Sequence, residues 1–176
     1  MRTIAGLFFV LILSSACSQN HVSTGVQSFA AADRLNNSDR VFVIFDSPSQ
    51  SGSLEHETYL NLVREQLSKR NIVIADRSET ASAVAVLSLN IDTGRDTVSG
   101  YDLAVWTNRI FVRRARLVIA RPTPNGAPRR VFESQAISEG NCALLASIAP
   151  QMIEAIFTTF PEGGTKNVRL SHSGNC

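Results

Sequence analysis

Three consecutive segments decide the predicted fold: WTNRIFVRRARLVIAR (residues 106–121), PTPNGAP (122–128) and RRVFESQAIS (129–138). The first and third segments are rich in β-branched and aromatic residues, which favour strands. The middle segment contains Asn125-Gly126 and several prolines, which mark a turn between two strands. We therefore predict a long antiparallel hairpin and, with it, a sheet that is largely antiparallel.

Three shorter strands are predicted before this hairpin. Residues 41–45 form a continuous apolar run, which is typical of a strand buried on both faces. Residues 72–75 predict a short strand that follows Asn71, a residue suited to a left-handed helix stop. Residues 83–92 begin apolar and then alternate, which predicts a strand that starts in the sheet interior and ends with one solvated face.

Two helices complete the predicted domain. Ser53 is a suitable N-cap for a helix with Glu55 and Glu57 in its first turn, an order that complements the helix dipole. The apolar positions of this helix at helical spacing are Tyr59, Leu62, Val63 and Leu67. A second helical period runs over residues 141–160, where Pro150 is expected to kink the helix or to start its main segment.

These elements predict one α+β domain over residues 40–170, with a largely antiparallel five-stranded sheet and two helices packed on one face. A loop that contains Gly94 and Gly100 is expected before the long hairpin. Residues 17–39 are polar and small without sustained periodicity, which predicts a lipidated N-terminus and a flexible tether. Residues 171–176 are expected to form a C-terminal tail.

The N-terminus has the layout of an export signal. Arg2 precedes an apolar segment over residues 4–13, and small residues follow up to Ala16. This segment is shorter than the roughly 20 apolar residues of a transmembrane helix. Cys17 then stands where bacterial lipoproteins carry their lipid-attachment cysteine, although Ser14 occupies a position where leucine is typical. Ordinary signal cleavage is the alternative.

Lipidation at Cys17 implies that residues 1–16 are a signal peptide that is removed. Acyl chains contribute roughly 0.8 kcal/mol per buried methylene, so several chains on the new N-terminus anchor the protein permanently in a membrane. The next residue is Ser18 rather than Asp, which under the usual sorting rule for bacterial lipoproteins indicates the outer membrane. We therefore expect a lipid-anchored domain that faces the periplasm.

The chain contains three cysteines, Cys17, Cys142 and Cys176. An odd number in an exported protein leaves one thiol unpaired. Lipidation of Cys17 removes that surplus and makes Cys142 and Cys176 a candidate disulfide in an oxidising compartment. Such a bond would contribute roughly 3–4 kcal/mol in the chain-entropy description, and two unrelated thiols are the alternative.

Composition excludes several classes of protein. After loss of the signal, about 160 residues remain, enough for one domain that buries roughly 70% of its extended-chain surface. The hydrophobic content of 44% is ordinary for a globular protein, so disorder is not indicated. The formal net charge of +2 does not suggest a polybasic nucleic-acid binder.

One stretch of sequence is a candidate anion-binding site. Residues 109–130 contain no Asp or Glu, and Arg121 and Arg129 should meet near the tip of the hairpin, where like charges repel unless an anion binds. Arginine forks suit phosphate and carboxylate groups. The alternative is a solvated sheet face on which arginine stems cover apolar surface. The candidate residues are Arg109, Arg113, Arg114, Arg116, Arg121, Arg129 and Arg130.

No catalytic or metal-binding motif is found in the sequence. The three histidines, His21, His56 and His172, lie far apart, and none begins a metal-ligand spacing or a nucleophile and base motif. Asp92 and Asp96 could suggest a calcium loop, but the remaining oxygen ligands of such a loop are missing. We therefore predict a protein that is not an enzyme and has no metal site and no cofactor.

The C-terminal part of the sequence carries a family resemblance. The segments concerned are PQMIEAIF (150–157), FPEGGT (160–165) and VRL (168–170). With the order of elements and the lipoprotein-type N-terminus, the chain over about residues 40–170 resembles the bacterial lipoproteins grouped as domain of unknown function 4136. That family typically has Gly where this chain has Asn71 and often Trp where it has Phe132. The resemblance implies an envelope lipoprotein with no catalytic residues to transfer.

The predicted function is that of a membrane-anchored lipoprotein that acts as a non-enzymatic interaction or assembly module of the bacterial envelope. Its expected partners are the membrane, through the acyl chains, and an envelope protein. The alternative is a lipoprotein that binds an anionic lipid or glycan through the arginine-rich hairpin. No nucleic-acid partner is expected.

Overall fold

The predicted hairpin lies at the centre of the observed sheet. The structure is a computed structural model that describes residues 20–47, 53–101, 104–124 and 126–172. Strand β6 (Ala104–Arg121) pairs antiparallel with strand β7 (Arg129–Gly140), and Arg121 lies opposite Arg129. We call this turn-connected end of the pair the closed end. The register shifts after Ile119 because β7 has one extra residue at a β-bulge. At this bulge two successive side chains of β7, Val131 and Phe132, are both buried.

The described residues form eight strands and two α-helices. The remaining strands are β1 (Asn20–Ala30), β2 (Arg40–Phe45), β3 (Val73–Ile74), β4 (Ala83–Ile91), β5 (Arg95–Tyr101) and β8 (Gly164–His172). The sheet order is β3-β2-β4-β6-β7-β1-β8, and β5 pairs with β6. Among the strands that the structure describes, only β2 pairs in parallel, with β3 and with β4. The largely antiparallel α+β class is confirmed, whereas the predicted count of five strands is wrong.

The first missed strand is β1, which lies within the predicted tether. It pairs with β7 on one side and with β8 on the other. Its buried positions are Thr24, Val26 and Ser28, and two of these three side chains are hydroxyls, so the sequence shows no apolar alternation. The prediction of a flexible tether up to residue 39 is therefore wrong from Asn20 onward, and the described domain begins there rather than at residue 40.

The other two missed strands are β5 and β8. Strand β5 occupies most of the predicted loop between Gly94 and Gly100, and the glycine at its far end conceals the strand pattern. Strand β8 carries exposed charged residues at Lys166 and Arg169, because it is the last strand of the sheet and has one open edge. It also includes His172, which was expected in the tail.

Helix α1 (Leu54–Ser68) agrees with the prediction. The Ser53 side chain accepts a hydrogen bond from the His56 backbone N–H, and Tyr59, Val63 and Leu67 are buried. Asn71 follows with φ of 60°, the left-handed stop that was expected.

Helix α2 (Ala149–Ile156) is shorter than the predicted 141–160. Pro150 lies in its first turn and so starts the helix. Two short 3₁₀ helices flank it, Leu145–Ser147 and Phe157–Thr159, because the apolar period continues beyond the regular α-helical turns.

The core is one hydrophobic cluster in which both helices contact the sheet. The sheet residues at its centre are Val41, Val43, Ala83, Ala85, Leu87, Ala115, Leu117 and Ile119. These buried positions alternate along β2, β4 and β6 with residues that are half exposed. We call the face that carries the half-exposed residues the outer face of the sheet. Within the described parts of the chain, no helix is long and apolar enough to cross a bilayer.

Candidate functional site

The closed end of the hairpin is an ion-pair cluster rather than an unpaired group of arginines. Arg121 donates from Nη1 to Asp33 Oδ2 over 2.7 Å and from Nη2 to Asp39 Oδ2 over 2.8 Å. Arg129 forms an ion pair with the same carboxylate of Asp33. Arg121 also donates to the backbone carbonyls of Asp33 and Arg34. The repulsion expected between Arg121 and Arg129 is therefore relieved inside the protein.

Asp39 is the buried member of this cluster, and its side chain is 7% exposed. Burial raises the pKa of this carboxyl, but hydrogen bonds from Arg121, the Asn36 N–H and the Ser82 hydroxyl lower it by more, so the net pKa is below its usual value. The same ion pairs raise the pKa of Arg121 against the opposing effect of burial. The charges of the pair are thus fixed over the physiological pH range.

A second pair of arginines is held by Glu133 on the outer face. Arg116 donates from Nε and Nη2 to Glu133 Oε1, over 2.9 and 2.5 Å. Arg130 donates to Glu133 Oε2 over 2.8 Å. Burial raises the pKa of Glu133, and the two guanidinium groups lower it by more, which gives a net pKa below the usual range.

Arg109 and Arg114 lie toward the other end of β6 and are exposed. Arg109 lies 3.6 Å from Asp96 in a solvent-exposed ion pair. Arg114 forms no ion pair with the described residues, although its charge helps to lower the pKa of Asp92, after the larger effect of the hydrogen bond from the Val112 N–H. Asp92 accepts hydrogen bonds from the backbone amides of Gly94 and Val112 and so supports a turn.

Arg113 differs from the other candidates because it is only 3% exposed. It donates to the Ser138 hydroxyl over 3.2 Å and to the Cys142 carbonyl over 3.3 Å. Within the described residues it has no carboxylate partner, and its Nε has no hydrogen-bond partner. Burial lowers its pKa. Gly140 makes room for it, since a Cβ at that position would lie 2.6 Å from Nη2.

The structure therefore does not bring the candidate arginines together as one open anion site. Five of them form internal ion pairs: Arg109, Arg116, Arg121, Arg129 and Arg130. Sequence reasoning missed the acidic partners at the closed end because Asp33 and Asp39 lie in the segment that was assigned to the tether. The spacing of residues within 109–130 cannot reveal hydrogen bonds to residues that lie more than 80 positions away in the sequence.

The described residues contain no group of three or more His, Cys, Asp or Glu side chains that could hold a metal ion. His56 lies near the start of α1, where its ring lies 4.3 Å from the ring of Phe45. Tyr59 donates to Glu55 over 2.5 Å, and burial together with this carboxylate raises the pKa of the tyrosine. These contacts stabilise the helix and its packing.

Cys142 is buried and disulfide-bonded. Its predicted partner Cys176, like the predicted lipidation site Cys17, lies outside the described residues. The pairing of Cys142 with Cys176 therefore stays a prediction.

The outer face of the sheet carries adjacent apolar rows. In one row Ile44, Val86 and Val118 lie side by side across three strands. In the next row Phe42 lies beside Val84, which lies beside Ala120. All six side chains are half exposed. The first row continues through Glu133 to Phe29, which is 64% exposed.

Two shallow grooves lie on the strands beside these rows. The larger, of about 320 Å³, is lined by Gly25, Val26, Gln27, Gln135, Ile137 and Thr165. The other, of about 290 Å³, lies next to Phe29 and Glu133. The first contains no ionisable side chain, and the carboxylate in the second is already paired with two arginines. These grooves can accept apolar or amide groups of a partner.

Comparison with known proteins identifies similar structures but no similar sequence. No protein-family profile matches the chain, and no curated protein matches it by sequence. The chain is similar to a PDZ domain protein from Parabacteroides distasonis, with a TM-score of 0.56 and 9% identity. The match covers 87% of this chain and 40% of that protein, so the chain spans less than half of its length. At this identity the likeness shows the fold alone.

Two further solved structures match with lower scores. One is a protein of the family called domain of unknown function 4136 from Bacteroides thetaiotaomicron, with a TM-score of 0.46, 12% identity, and coverage of 77% of this chain and 95% of that one. The other is a minor lipoprotein from Acinetobacter baumannii, with a TM-score of 0.33, 9% identity, and coverage of 73% and 98%. The first of these two structures belongs to the family that the sequence suggested, at low sequence identity.

Proposed function

We propose that this protein is a lipid-anchored lipoprotein on the periplasmic side of the bacterial outer membrane, where its domain binds an envelope protein without catalysing a reaction. Cys17 after the apolar signal supports the anchor, and Ser18 supports the outer membrane. In this proposal both helices cover the inner face of the sheet, and the outer face is the surface that meets the partner.

The apolar rows of the outer face are the observation that carries the proposal. Six half-exposed apolar side chains in two adjacent rows form a contiguous patch, and such patches mark protein interaction sites more often than scattered surface residues do. The patch is bordered by the Arg116, Glu133 and Arg130 ion pairs. An apolar centre with a charged border is the usual anatomy of a protein interface.

Site-specific crosslinking in intact cells tests this interface. A photoreactive phenylalanine analogue at Phe42 should give discrete crosslinked bands, because this side chain lies in the apolar patch. The same analogue at Leu54, which is 89% exposed on α1, is the matched control and should give none of these bands. Identical patterns at the two positions, or no bands at Phe42 in cells that contain the folded protein, would contradict the interface.

The anchor is tested by the intact mass of the mature protein isolated from membranes. We expect a mass that begins at Cys17 and includes acyl chains, and the variant Cys17→Ser should leave the membrane fraction. In the same sample, non-reducing peptide mapping should find Cys142 joined to Cys176. An unmodified mass beginning at Cys17 would refute the anchor, and Ser18→Asp should move the protein to the inner membrane if the sorting assignment is correct.

A further inference from the structure

The apolar patch of the outer face is long and narrow. Its two rows lie two residues apart along the strands, which is about 7 Å. Together with Phe29 on β1, the patch begins at Phe42 and Ile44 on β2 and extends over four inter-strand steps, or about 19 Å. A partner that covers it needs a narrow apolar stripe of the same length. An amphipathic helix has such a stripe along one side, and about 13 helical residues span 19 Å.

The groove of about 290 Å³ lies at the Phe29 end of the patch. Ala30 and Ala31 contribute apolar surface to it, and Arg130 and Glu133 also line it. Phe29 itself is 64% exposed, so its ring is accessible to a partner. An apolar side chain of the partner can enter this groove and anchor one end of the stripe, as buried apolar anchors do in other helix-binding grooves.

The outer face also concentrates the positive charge of the protein. Among the described side chains of the strands other than β5, five arginines belong to this face, against two glutamates and an aspartate that directly follows β2. The surplus equals the formal net charge of +2 of the whole chain, so the remainder of the chain is balanced. The residues are Arg40, Arg114, Arg116, Arg130, Arg169, Glu133, Glu139 and Asp46.

These arginines border both long sides of the patch. Arg40 is the next outer-face residue of β2 on one side, and Arg116 and then Arg114 follow along β6 on the other. Arg116 shares the Glu133 carboxylate with Arg130, which leaves one positive charge in that group. Arg40 and Arg114 are exposed and form no ion pair with any residue that the structure describes. A partner with carboxylates on both sides of its apolar stripe complements this arrangement, whereas a second copy of this chain would bring like charges together.

We infer that the partner of the outer face is an acidic amphipathic helix of an envelope protein. This inference rests on the proposed function and adds the chemistry of the partner. The apolar side of the helix lies across the strands from β2 to β1, with one side chain in the groove beside Phe29. Its carboxylates lie beside Arg40 on one side and beside Arg114 and Arg116 on the other.

Crosslinking from both ends of the patch tests the shape and charge of the partner in intact cells. A photoreactive phenylalanine analogue is placed at Phe42 in one protein and at Phe29 in another, and the crosslinked residues of the partner are mapped by mass spectrometry. We expect both positions to reach one segment of net negative charge, at residues about 13 positions apart, because an α-helix rises 1.5 Å per residue. A spacing of about 6 positions would indicate an extended segment. That spacing, a basic or uncharged segment, or two unrelated segments would overturn the inference.

Charge reversal tests the arginines directly. Arg40→Glu combined with Arg114→Glu should lower the crosslinking yield at Phe29 roughly tenfold, because like charges then oppose association. Lys69→Glu combined with Lys166→Glu is the matched control, since it changes the net charge equally on exposed lysines outside the outer face. Lys69 ends α1, and Lys166 points to the opposite face of the sheet. The control should leave the yield unchanged, and urea denaturation of both variants verifies that they are folded.

The outcomes separate this inference from the proposed function. Absence of bands at both Phe42 and Phe29 in the otherwise unchanged protein refutes the interface and with it the premise. Bands at both positions whose yields are equal in the two charge variants overturn the acidic partner while the interface stands. Photoproducts that carry the mass of a phospholipid, or a crosslinked dimer that contains this chain alone, would show that a membrane or a second copy covers the patch, and either result overturns the inference.

Discussion

The two ends of the β6–β7 pair use the same residue type in opposite ways. At the closed end, Arg121 is compensated by two carboxylates, one of them buried. At the other end, which we call the open end, Arg113 is more deeply buried and has no carboxylate partner among the described residues. This difference indicates that the arginines of the hairpin pack within the protein and link the hairpin to neighbouring segments, rather than forming one anion-binding surface.

The two ends also differ in what they connect. Arg121 ties the hairpin to residues 33–39, and through them to the start of β2. Arg113 ties β6 to Ser138 of β7 and to the carbonyl of Cys142, which begins the connection toward α2. Breaking the closed end should therefore loosen the connection between β1 and β2, and breaking the open end should loosen the disulfide-bonded segment.

The largest effect is expected from Arg121→Met, which removes the partner of the buried Asp39 carboxylate. Truncating one member of a buried pair leaves an uncompensated charge, and because Arg121 is partly exposed we expect a loss of about 2–4 kcal/mol in the free energy of unfolding. Arg129→Met is the matched control, since Arg129 is largely exposed and should cost about 0.5 kcal/mol. Urea denaturation of the three proteins measures both values. Equal losses would show that burial at Asp39 does not govern this cluster.

The next effect concerns Gly140 at the open end. Gly140→Ala places a Cβ 2.6 Å from Nη2 of Arg113 and should displace the guanidinium from Ser138 and Cys142, at a cost of about 1–3 kcal/mol. A double-mutant cycle with Arg113→Met sharpens the test, because the alanine should cost little once the guanidinium is gone. Gly25→Ala is the control, since its Cβ meets only ordinary contacts near 4 Å. Additive losses from Gly140→Ala and Arg113→Met would contradict the proposed contact.

The sequence predicted the features that depend on residues close together in the chain and missed those that depend on contacts between distant segments. The β6 and β7 segments, α1 with its Ser53 cap and the Asn71 stop are local patterns, and they were predicted correctly. β1 was missed because hydroxyl side chains occupy buried positions that usually carry apolar residues. The ion pairs with Asp33 and Asp39 were missed because they depend on sheet topology, which places distant segments side by side.

The candidate site shows the same division. The sequence identified the arginines, but whether a guanidinium is free, paired or buried is decided by which strand face it occupies and what lies opposite. Arg113 and Arg114 are consecutive, yet one is buried and the other exposed, because successive strand residues point to opposite faces. The apolar rows of the outer face were missed for a related reason, since they appear only when β2, β4 and β6 are placed side by side.

The smallest effect is expected at Glu133, whose ion pairs lie on the outer face between the two ends. Arg116→Gln should lower the free energy of unfolding by less than about 1 kcal/mol at neutral pH, because both partners are partly exposed. The pKa of Glu133 in the folded protein lies below its usual value, so the pair stabilises the fold above the unfolded pKa of about 4.3 and loses its effect as the pH falls through the folded pKa. The difference in stability between wild type and Arg116→Gln should therefore shrink as a urea titration is repeated at decreasing pH. A difference that stays constant or grows on acidification would show that Arg116 acts through the packing of its apolar stem and not through the carboxylate.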